Sequence, residues 1–102
     1  MSEGSNETWG FAPPPFRAAE ALVSLKRALR DLGLSERKNA FEWGGKRVLE
    51  WDAGEVELNM RLARRLQVHT PEWDRTVLKS AADQRKWLDE VKKRLARWRE
   101  DE

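Results

Sequence analysis

Cysteine and tyrosine are absent from the 102 residues, and histidine occurs once. Without cysteine there are no disulfides, no thiolate nucleophile and none of the commonest structural zinc ligands, so the fold has to stand on packing. His69 has no second histidine with which to share a metal. A metal site there would need carboxylates or water for every other ligand, and none is expected. No apolar run approaches the ~20 residues that cross a bilayer, and Met1 to Thr8 lacks the basic start and apolar stretch of a secretion signal. The expectation is a cytoplasmic chain with no membrane partner.

An excess of one charge is also missing. Twenty basic residues face 18 acidic ones for a formal charge of +2, so the pI near 9.2 reflects a small difference between large numbers. A protein that binds nucleic acid by neutralising phosphates concentrates its positive charge on one segment or face. Only residues 17–50 carry such an excess, eight basic against five acidic.

What is present suits one small domain: 39% hydrophobic residues, 37% charged residues and six tryptophans. Met1 to Thr8 is polar and acidic and reads as a disordered arm (residues 1–8), leaving residues 9–102 as a single domain. Trp9 to Phe16 holds three prolines and three aromatics on an extended path, suited to lying across the domain or docking on another protein. From Arg17 to Leu32, Ala18, Leu22, Leu25, Leu29 and Leu32 alternate steps of four and three, which predicts an amphipathic helix. Gly33 and Leu34 then supply its C-terminal cap.

Gly44-Gly45, between Ala40-Phe41-Glu42-Trp43 and Lys46-Arg47-Val48-Leu49-Glu50-Trp51, predicts a tight β-hairpin. A two-residue turn sets Trp43 opposite Lys46, Glu42 opposite Arg47 and Phe41 opposite Val48. That register leaves apolar groups on both faces, because Leu49 and Trp51 then point away from Val48. Residues 55–68 satisfy two patterns. Val56, Leu58, Met60 and Leu62 alternate like a strand, whereas composition and the order of Glu before Arg favour a helix. Thr70-Pro71-Glu72 reads as a helix start, and Ser80 with Asp83 as a second cap. Trp87, Leu88, Val91, Leu95 and Trp98 form the stripe of a C-terminal helix.

Catalytic signatures are not found. Glu42, Glu50, Asp52, Glu55 and Glu57 cluster around the hairpin without the spacing of a known carboxylate site, and Gly44-Gly45-Lys46-Arg47 lacks the separated glycines of a phosphate loop. No cofactor is expected. Arg61 to Leu78 resembles a helix-turn-helix, although Gln67 stands where such turns usually place glycine and Trp73 where they place a smaller aliphatic.

The sequence therefore predicts an α+β fold, a mostly helical small single domain of order α-β-β-α-α with one Gly-Gly hairpin packed on helices. The alternative makes residues 55–62 the third strand of an antiparallel meander. The leading functional expectation is a non-enzymatic interaction module binding another protein through Trp9, Phe11, Phe16 and Trp43. The competing one is a nucleic-acid binder using Lys26, Arg27, Arg30, Arg37, Lys38, Lys46 and Arg47, or the helix-turn-helix-like segment 61–78.

Overall fold

Leucine spacing alone places the first element, α1 (Ala18–Asp31), which buries Ala18, Leu25 and Leu29. Gly33 closes it at φ +100°, with its N–H donating to the Arg30 carbonyl at 3.0 Å and the Leu34 N–H donating to that of Leu29 at 3.1 Å. That pair of bonds is the Schellman cap expected from the sequence. The computed structural model describes residues 16–66 and 72–101, so expectations placed on the 1–8 arm, Trp9, Phe11 and His69 lie outside the described residues.

After α1 the chain runs through β1 (Ser35–Arg37), β2 (Ala40–Trp43), β3 (Lys46–Ala53), β4 (Leu58–Ala63) and β5 (Trp73–Leu78) into α2 (Ala81–Asp101). The strands pair in sequence order as one five-stranded sheet, antiparallel at every step. The expected mostly helical α-β-β-α-α order is therefore wrong, and the meander is five strands rather than three. The helix expected over 55–68 is absent from its described part, residues 55–66: Leu58, Met60 and Leu62 follow the period of two and complete a ladder from Leu49–Leu62 to Ala53–Leu58. A neighbouring strand with open hydrogen-bonding groups outweighs helix propensities worth only tenths of a kcal/mol per residue.

The helix expected from Thr70 is also overturned. Trp73 to Leu78 pairs with β4 along its whole length, and the last helix begins only after Ser80. There the Ser80 hydroxyl accepts from the Asp83 N–H at 3.1 Å while the Asp83 carboxylate accepts from the Lys79 N–H at 3.0 Å. With Arg61 to Ala63 and Trp73 to Leu78 in strands, segment 61–78 is not a helix-turn-helix.

The hairpin turns at Gly44 and Gly45, with φ +60° and +79°, and pairs Trp43 with Lys46 and Glu42 with Arg47. Beyond that point the register shifts and Phe41 faces Leu49, not Val48. Arg47 and Val48 together oppose Glu42, which is a β-bulge. The bulge resolves the two-faced pattern of the simple register by bringing Leu49 and Trp51 to the same side of the sheet as Phe41.

Both helices cover that one side. The Lys26 ammonium lies 5.0 Å from the centre of the Trp51 ring, and Arg99 of α2 lies 5.3 Å from that of Trp43. Between helices and sheet sit Leu25, Leu29, Phe41, Leu49, Trp51, Leu58, Met60, Leu62, Leu78, Trp87, Val91, Leu95 and Trp98, all buried. Each such large side chain contributes roughly 1.5–3 kcal/mol by leaving water, in place of any crosslink. The other side, which carries Glu50, Asp52, Asn59, Arg61, Arg75 and Val77 by register, has no described helix over it.

Candidate protein-binding edge

An antiparallel ladder turns the N–H and C=O of alternate residues toward one neighbour and those of the residues between toward the other. In β4 and β5 the phase is set by two bonds. The Arg64 N–H donates to the Glu72 carbonyl at 2.9 Å, and the Gly54 N–H donates to the Glu57 carbonyl at 2.9 Å. Counting by twos from either places Leu58, Met60 and Leu62 in bonded pairs with Leu78, Thr76 and Asp74. Trp73, Arg75 and Val77 are left with their backbone groups turned outward, away from the sheet. β5 is the last strand in the sheet order, so nothing among the described residues pairs with those groups.

Two concavities flank this edge and share Thr76 and Val77. One, of about 250 Å³, lies between the strand and α2 and is completed by Asp83, Lys86, Trp87 and Glu90. The other, of about 300 Å³, opens on the uncovered face beside Asp52, Asn59, Arg61 and Arg75. Both sit at or below the lower end of small-molecule sites, but each matches a single side chain of an extended peptide. Val77 is 44% exposed between them. Edge strands of this length are usually shielded by proline, bulges or inward charges; β5 has no proline and an unbroken register, and its one charge on the covered face, Asp74, is taken up by Arg94 of the same chain.

The charged groups near the edge are organised. On the open face Arg61 reaches Glu50 at 3.0 Å and Asp52 at 3.0 Å, while Arg47 holds Glu50 at 2.9 Å. The hydrogen bond to Asp52 raises the Arg61 pKa most, burial works against it, and the bond to Glu50 adds a smaller push upward. On the helix side Asp74 takes Arg94 at 2.8 Å and Arg64 at 2.9 Å. Arg75 forms no ion pair with a described residue and lies in the open-face concavity.

The residues singled out from sequence fare differently. Phe16 and Trp43 are partly buried and packed against the core, Trp43 beneath the Arg99 guanidinium, so neither is a free aromatic. The basic set does not converge as an open patch. Lys26 and Arg30 share Glu36 at 3.1 and 2.8 Å, Arg37 lies 3.7 Å from Glu42, and Arg47 is held by Glu50. Arg27, Lys38 and Lys46 form no ion pair with a described residue, and Lys38 sits in the β1–β2 turn at φ +48°. Of the carboxylate cluster, Glu50 and Asp52 meet at Arg61, and no group of three or more His, Asp or Glu among the described residues is arranged to hold a metal.

Sequence reasoning passed over Thr76 and Val77, and it set Trp73 and Arg75 on a helix where the structure has a strand. The signal available was the β-branched pair Thr76-Val77 in a stretch with no helical leucine spacing. Comparison with protein-family models, with curated proteins and with solved structures found no match.

Proposed function

We propose that this chain is a non-enzymatic protein-interaction module whose working surface is the outer edge of β5, where an extended segment of another polypeptide adds as a further strand. The observation that carries the reading is the outward-turned backbone of Trp73, Arg75 and Val77 with a concavity on either side. Strand addition draws affinity from main-chain hydrogen bonds and specificity from alternate side chains, one set entering beside Trp87 and the other beside Arg75. The nucleic-acid alternative has less support, because Lys26, Arg30, Arg37 and Arg47 are already engaged by carboxylates of the same chain.

The test uses proline. Val77→Pro removes an outward N–H and leaves the bonds to β4 intact, so the fold is retained. Displayed eight-residue peptides selected on the wild-type chain are expected to be rich in β-branched residues and to lose at least tenfold in affinity for Val77→Pro. Peptides that bind both proteins equally overturn the reading.

A further inference from the structure

We infer that the polypeptide seated on β5 is a second copy of this chain, the two β5 strands running antiparallel about a twofold axis that passes through Thr76. The inference rests on the strand-addition reading and goes beyond it by naming the partner.

Symmetry restricts how two such edges can meet. A twofold axis normal to the sheet keeps the helix-covered faces of both copies on one side, so residues opposite one another across the seam lie on the same face. Trp73, Arg75 and Val77 must then meet outward-turned residues of the other copy. An axis at Asp74 sets the two Asp74 side chains against each other, and an axis at Arg75 does the same with arginine. An axis at Val77 opposes Arg75 to Lys79. Like charges directly opposite are destabilising, which disfavours all three.

The register centred on Thr76 has no such conflict. Arg75 faces Val77 of the other copy and exchanges backbone hydrogen bonds with it, Thr76 faces Thr76, Asp74 faces Leu78, and Trp73 faces Lys79. A threonine pair across an antiparallel ladder is among the favourable pairings.

A second observation agrees on where the axis falls. Thr76 shares its concavity with Lys86, Trp87 and Glu90 of α2, and α2 runs back antiparallel to β5, since Asp74 two residues earlier meets Arg94. The helix ridge beside the edge reads Asp83, Lys86, Glu90, Arg94, alternating in sign and complementary to itself when reversed. A twofold at Thr76 falls between Lys86 and Glu90 along that ridge and directs Lys86 of one copy toward Glu90 of the other. Lys86 forms no ion pair with a described residue, Glu90 already takes Arg94 of its own chain at 2.8 Å and would share its carboxylate with the incoming Lys86, and a net charge of only +2 offers little repulsion to association.

The absence of cysteine makes the test clean, because Thr76→Cys is then the only thiol in the molecule. Thr76 faces itself in a non-hydrogen-bonded pair, with Cβ atoms ~4.5–5.5 Å apart, close to disulfide reach. Mild oxidation of Thr76→Cys is expected to give mostly covalent dimer, against background levels for Arg85→Cys on the exposed side of α2. Wild-type protein at about 0.1 mM is expected to sediment at twice 11.9 kDa and Val77→Pro at the single mass. Peptides that bind the wild-type edge but not Val77→Pro, together with monomeric wild type and background crosslinking of Thr76→Cys, overturn self-pairing and leave strand addition standing. A dimer that persists in Val77→Pro overturns self-pairing at β5, and if the selected peptides also bind that variant, the strand-addition reading falls with it.

Discussion

Arg94 of α2 and Asp74 of β5 meet at 2.8 Å, with the arginine side chain 13% exposed. The same guanidinium donates to the Ala63 carbonyl at 3.0 Å and to Glu90 at 2.8 Å. One side chain therefore ties the last helix to the ends of both β4 and β5, the strands that carry the open edge.

Arg94→Met keeps the aliphatic stem and removes the donors. The expected loss is about 1–3 kcal/mol in urea unfolding, the usual effect of leaving partly buried charge-assisted hydrogen bonds unmade. An unchanged midpoint means that α2 docks through its apolar seam alone.

Asp74 gives the chain an acid-sensitive contact. Its carboxyl is held below the ordinary 3.8, first by the hydrogen bond from Arg64 and further by Arg94, with partial burial opposing them. A carboxyl lowered in the folded state favours folding fully above its unfolded pKa and loses that contribution as pH falls through the folded value. Wild type is expected to exceed Asp74→Asn by about 1 kcal/mol at pH 7, with the gap closing below about pH 4. Urea titrations of both proteins across that range check the sign.

Leu95 is 2% exposed among the core residues, whereas Val56 is 59% exposed. Leu95→Ala is expected to cost about 2–5 kcal/mol and Val56→Ala less than about 0.5 kcal/mol. Thermal melts of the pair test whether the seam between α2 and the sheet holds the molecule together.

Gly33 combines φ +100° with a would-be Cβ 3.4 Å from the Trp43 ring. Gly33→Ala is expected to destabilise by about 1–2 kcal/mol, because an L side chain is strained there and the ring limits relaxation. Gly54→Ala, at a position without positive φ, is expected to cost less in the same denaturant series.

Neighbouring residues of β5 should respond oppositely to proline. Thr76→Pro removes a bond to Met60 and is expected to cost about 2–3 kcal/mol, whereas Val77→Pro touches only the outer edge. Equal losses in the two melts mean that the phase of the β4–β5 ladder is other than described.

The parts of the fold legible in the sequence are those held by contacts a few residues apart. Leu25 and Leu29 share a face because a helix repeats every 3.6 residues, Gly33 ends that helix, Gly44-Gly45 turns the hairpin, Ser80 with Asp83 starts α2, and Trp87 to Trp98 marks its buried seam. Each of these follows from local backbone geometry and side-chain chemistry.

Tertiary structure decided the rest. Leu58 to Ala63 satisfies a helical and a strand pattern alike, and Trp73 follows a convincing helix start, so only the open hydrogen-bonding row of a neighbouring strand determines their state. The bulge at Arg47-Val48 serves a core whose helices come from both ends of the chain. Which strand lies outermost, and hence which backbone groups face outward at Trp73, Arg75 and Val77, is a property of the assembled sheet, because strand pairing joins groups that no local stretch of sequence contains together.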